Sequence, residues 1–102
     1  MKIDFTHQLV DSEGKTVLEE DAPVTIKTVL KRAILADATP AGQPIPVDEK
    51  VKRFDIFLKL RSADSNTDWT LDEIALLDKA VMVYSTLISG QLHYLLNNKT
   101  LP

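Results

Sequence analysis

Apolar side chains recur at helical spacing in successive blocks, after an opening stretch that alternates instead. Ile26, Val29, Leu30, Ala33 and Ile34 fall on one stripe, with Lys27, Lys31 and Arg32 turned away from it. This predicts a helix over 24–36, with Thr25 as its N-cap. Residues 37–46 hold three prolines and Gly42 and read as a loop. A second helix is expected over 47–61. Val47, Val51, Phe54 and Leu58 form one seam there, with Phe57 at its edge, and at about 100° per residue Ile56 and Leu60 lie nearly opposite. Two apolar faces imply a helix buried on both sides or one with a strip left for a partner.

The sharpest local signal follows the polar run Ser62–Asp68. Thr70-Leu71-Asp72-Glu73 is a capping box, in which hydroxyl and carboxylate each accept from the other's backbone N–H. Trp69 and Ile74 stand at the spacing of a hydrophobic staple, which accounts for the only tryptophan. The helix so started, over 71–84, is apolar on nearly every side and belongs at the centre of a bundle or in a subunit contact. Asp78 is the exception, a carboxylate on a face that should be buried. Tyr84-Ser85-Thr86 interrupts, with Ser85 or Thr86 capping a last helix over 87–96. Gly90 costs that helix about 1 kcal/mol, which fits a close approach or a bend, and Asn97-Asn98 suits a C-cap.

Over 1–22, Ile3, Phe5 and Leu9 alternate modestly, Asp11-Ser12-Glu13-Gly14 is turn chemistry, and Lys15–Leu18 returns. A lone hairpin is marginal in water, so it must pack on the helices or pair with another chain. The fold expected is α+β and mainly helical. It has an N-terminal β-hairpin packed on a three- to four-helix bundle, as a single domain over 1–102.

Composition narrows the chemistry. Hydrophobic residues are 44% and charged residues 26%, values of a globular chain. With no cysteine, disulfides and thiolate metal sites are excluded, and a reducing compartment is compatible. No apolar run approaches the ~20 residues of a membrane span. The first residues lack the apolar stretch of a signal peptide, so a cytoplasmic location is expected. The net charge of −3 is unevenly spread: two basic against six acidic residues in 1–22, eight against four in 23–62, two against five in 63–102. The ordinary reading of this split is the solvated faces of two helices; beyond that, a basic middle between acidic ends favours head-to-tail pairing, or steers an acidic partner to that middle.

Catalytic and metal-binding patterns are sparse. His7 and His93 lie in separate elements with no HExxH-type spacing, and the serines fall in loops and caps. The three glycines are isolated, so no phosphate loop forms. Asp64-Ser65-Asn66-Thr67-Asp68 opens like a calcium loop, but Trp69 replaces the turn glycine and Ala75 the bidentate glutamate. No cofactor is expected.

Two stretches resemble small proteins of tailed phages and prophages: Asp48-Glu49-Lys50-Val51-Lys52-Arg53-Phe54, and Leu71-Asp72-Glu73-Ile74-Ala75-Leu76-Leu77 with Tyr84-Ser85-Thr86-Leu87-Ile88-Ser89-Gly90-Gln91. The opening Lys2-Ile3-Asp4-Phe5 fits the same picture. Thr86 and Ser89 depart from it, where proline and a β-branched residue are expected. The resemblance implies an accessory or morphogenesis role in a bacterial cytoplasm and brings no catalytic residues with it.

The expectation is therefore a non-enzymatic protein-interaction module that binds a protein partner or itself as a homo-oligomer, with no membrane role. In this reading Ile56, Leu60, Leu76 and Val83 form a second apolar surface beyond the core, rimmed by Lys27, Lys31, Arg32, Lys52, Arg53 and Lys59. The alternative is a nucleic-acid-binding regulator using the basic segment 27–61, although no reader motif accompanies those charges.

Overall fold

In the computed structural model of the chain, which describes residues 1–99, the Thr25 hydroxyl accepts from the Thr28 amide at 3.2 Å. That cap starts α1 (Ile26–Ile34), and the expected stripe Ile26, Val29, Leu30, Ala33 and Ile34 is buried without exception. The proline loop follows, anchored by buried Ile45, and leads into α2 (Val47–Ser62). The capping box forms as the spacing requires. The Glu73 amide donates to the Thr70 hydroxyl at 3.1 Å and the Thr70 amide to the Glu73 carboxylate at 2.8 Å. They open α3 (Leu71–Ala80), and Trp69 and Ile74 are both buried. A 3-10 turn (Val81–Val83) leads to α4 (Thr86–Leu96), which Ser85 caps and Asn97 ends.

The fold is α+β and mainly helical, as the periodicity implies. α1 packs against α2, α3 and the 3-10 turn, and α3 against α1, α4 and the same turn. The helix predicted as continuous over 71–84 is interrupted. That helix tightens at Val81, and Leu71, Ala75, Met82 and Val83 end up exposed. No helix among the described residues is long and apolar enough to cross a membrane.

The N-terminal segment is more irregular than a regular hairpin over 1–22. The turn stands where it is expected: the Asp11 carboxylate accepts from the Glu13 and Lys15 amides at 2.9 and 3.0 Å, and Gly14 takes φ +79°. The ladder beyond it is reduced to a bridge between Val10 and Thr16. The regular antiparallel pair comes later, between β1 (Leu18–Glu19) and β2 (Ala22–Pro23). Glu20 and Asp21 turn between these strands with φ of +52° and +64°, a pair of left-handed residues matching a type I′ turn. With no glycine at either position, the sequence carries no strong sign of that turn.

Two tertiary contacts tether this segment. Met1 and Trp69 exchange backbone hydrogen bonds, Trp69 N to Met1 O at 2.6 Å and the terminal ammonium to Trp69 O at 2.9 Å. The buried Gln91 carboxamide of α4 supplies what a neighbouring strand would, accepting from the Val10 amide at 2.9 Å and donating to the Val10 carbonyl at 2.8 Å. Replacing Gln91 by Leu strands both backbone groups. Urea denaturation is expected to show a loss of about 1–3 kcal/mol, whereas Gln91→Glu, which keeps the acceptor, loses less at acid pH than at neutral pH. Gly90 faces open space, with nothing within 4 Å of where a Cβ would stand. Gly90→Ala is therefore expected to raise stability by up to about 1 kcal/mol in the same measurement.

Candidate interaction surface

Charged residues near the two ends of α2 set which of its faces turns inward. Near its start, Glu49 meets Arg53 at 3.1 Å and, across to α3, Lys79 at 2.6 Å. Near its end, the Lys59 ammonium lies 2.8 Å from Glu73 and 2.6 Å from the Asp68 carbonyl, with its nitrogen 4.4 Å from the centre of the Trp69 ring. These clasps draw the 49–53–56–60 side of the helix toward the body. Arg53, Ile56 and Leu60 are consequently buried, at 4%, 5% and 0% exposure.

The assignment of Ile56 and Leu60 to a surface beyond the core is thereby corrected: both are core. The opposite seam points outward, with Val47 75%, Val51 58%, Phe54 53% and Leu58 42% exposed. Phe57 is half-buried at the margin, its ring centroid 6.0 Å from that of Phe54. The two apolar faces predicted for α2 are present, with their inward and outward roles exchanged. Both are similarly apolar, so periodicity does not rank them. The decisive signal lies in Glu49 and Lys59, whose partners Lys79 and Glu73 stand 30 and 14 residues away.

Of the other two residues assigned to that surface, Leu76 is half-buried and lines a groove of about 720 Å³ between α2 and α3, with Ile56 opposite in the lining. Val83 is exposed on the 3-10 turn and outside that lining. The four residues do not form one face. The groove is acidic at its walls, where Asp48, Asp55 and Asp72 stand beside the clasped Glu49 and Glu73, against Lys52 and Lys79.

Half of the basic rim is tied up in ion pairs. Arg32 makes a bidentate pair with Glu19 at 2.7 and 2.9 Å, Arg53 is buried on Glu49, and Lys59 is held by Glu73. Lys27 lies 5.8 Å from the Phe5 ring centre. Lys31 and Lys52 have no ion-pair partner among the described residues. Neutralised side chains offer little to a phosphate backbone, so segment 27–61 is less basic in space than along the chain.

Asp78 finds a partner that sequence distance hid. Its carboxylate lies 2.8 and 2.9 Å from His93 Nδ1 and 3.4 Å from the Asn97 amide nitrogen, joining α3 to the last turn of α4. His93 borders a shallow hollow with Tyr84 and Ser89. The hydroxyls of those two residues donate to backbone, Tyr84 to Val29 O at 2.9 Å and Ser89 to Val81 O at 2.7 Å. Committed in this way, they hold the 3-10 turn in place and are not presented to a ligand as nucleophiles. Burial holds the Tyr84 phenol above its ordinary value. In the calcium-like stretch, Asp64 turns back on its own loop, accepting from the Asn66 amide at 2.8 Å. No group of three or more metal-binding side chains gathers among the described residues.

The clasps have a pH signature. The Lys79 hydrogen bond, against an opposing effect of burial, holds the Glu49 carboxyl below its ordinary value. For Glu73, burial pushes upward but is outweighed by Lys59 and the Thr70 amide, so it too is lowered. With both carboxyls more acidic folded than unfolded, the unfolded chain binds more protons below about pH 5, and the stability they contribute is lost as pH falls through that range. The urea midpoint is expected to drop between pH 5 and 3, and Lys59→Met with Lys79→Met to flatten that drop. Each exposed pair contributes under about 1 kcal/mol. No protein-family model matches the chain, and no curated protein or solved structure matches it, so its reading rests on this geometry.

Proposed function

We propose that the chain is a non-enzymatic protein-interaction module, an assembly factor or a regulator of a host protein in a phage or prophage setting. The observation that carries this reading is the outward seam of α2, where Val47, Val51, Phe54 and Leu58 place four large apolar side chains in water on one helix face. Single exposed apolar residues are ordinary on a protein surface, but a row at successive helical turns is a feature of docking faces. The polar residues of the phage-like stretches support the same reading indirectly. Tyr84, Ser85, Ser89 and Gln91 are occupied in holding backbone.

A photo-crosslinking side chain placed at Val51 in the native host, with Asp37 as an exposed control, tests this. Discrete adducts are expected at Val51 and not at Asp37. A virion component in the adduct identifies an assembly role, a host enzyme identifies regulation, and a second copy of the chain identifies self-association through this face. No adduct at Val51, or the same ladder at both positions, overturns the proposal.

A further inference from the structure

Resting on the reading of α2's seam as a docking face, we propose that its occupant is a second copy of this chain, the two α2 helices lying parallel across a two-fold axis. Val47, Val51, Phe54 and Leu58 follow a 4-3-4 spacing, that of alternating d and a positions in a short coiled coil. The seam lies about 180° around the helix from Ile56 and Leu60, so a copy can approach without meeting the body of its partner.

Charge selects the direction. In this register Lys50 is a g position and Asp55 the e position five residues on, flanking the seam on opposite sides. A parallel pair brings Lys50 of each copy to Asp55 of the other, twice over. An antiparallel pair instead sets like flanks together and places Asp48 near Asp55 of the second copy, which repels. Neither Lys50 nor Asp55 has an ion-pair partner within the described chain. Arg61, the next d position, ends the seam after four layers. So short a contact falls below the standard interface size, and the dimer is a weak one that forms in the micromolar range or above.

Sedimentation equilibrium of the full chain, from about 10 µM to 1 mM at low salt, reads this directly. The expected result is a concentration-dependent monomer–dimer equilibrium. Phe54→Asp is expected to weaken it at least about tenfold with an unchanged circular dichroism spectrum, since the side chain lies outside the core. Lys50→Glu and Asp55→Lys are each expected to weaken it about two- to fivefold, and the two together to restore it. A chain that stays monomeric throughout, or a dimer indifferent to Phe54→Asp, overturns the proposal. Asp55→Lys tightening the dimer overturns the parallel pairing, because relief of Asp48–Asp55 repulsion belongs to the antiparallel one. A monomer here, alongside crosslinking at Val51 to a different protein, refutes self-association and leaves the interaction reading standing.

Discussion

The rotational setting of α2 is the constraint on which the surface of this protein depends. The helix has two apolar faces, and either could pack against α1. Burial alone separates them weakly, since Ile56 and Leu60 on one side are matched by Val51, Phe54 and Leu58 on the other. The polar residues decide. Glu49 reaches Lys79, and Lys59 reaches Glu73, the Asp68 carbonyl and the Trp69 ring, so turning α2 by half a circle would break every one of these contacts, while the Glu49–Arg53 pair within the helix would turn with it. Interactions that add little to stability can still choose between two packings of similar apolar content.

That choice carries through to α3. Held to α2 by charge at Glu49–Lys79 and Lys59–Glu73, it stands off enough to leave a groove between the two helices. Its own end is tightened into the 3-10 turn, where Ser89 donates to Val81 O and Tyr84 reaches Val29 O on α1. The molecule thus uses buried and half-buried polar side chains as local fasteners: Ser89 and Tyr84 at the turn, Gln91 on Val10, and His93 with Asn97 on Asp78. Each satisfies backbone or carboxylate groups that would be costly to leave alone in a partly dry environment.

These fasteners account for the polar residues of the run from Tyr84 to Gln91. A tyrosine, two serines and a glutamine at fixed spacing resemble a site, yet each is assigned a backbone partner or a cap. The sequence pattern therefore reports how α4 and the 3-10 turn are joined to the rest of the chain. The docking function proposed for the protein lies on a different element, the outer seam of α2, whose residues have no polar signature at all.

From the sequence by itself came the features governed by short-range chemistry. The Thr25 cap, the Thr70–Glu73 capping box with its Trp69–Ile74 staple, the turn at Asp11–Gly14 and the buried stripe of α1 all follow from interactions within a few residues, so periodicity and side-chain type suffice to find them. The class of fold follows from them. What only the tertiary structure decided were the choices between near-equal local alternatives: which face of α2 turns inward, whether α3 runs past Ala80, and where Asp78 finds its partner. Those rest on contacts such as Glu49–Lys79, Asp78–His93 and Val10–Gln91, whose members are 30, 15 and 81 residues apart. A one-dimensional pattern shows that α2 has two apolar faces, but burial of either is nearly equivalent until the distant charges are in place.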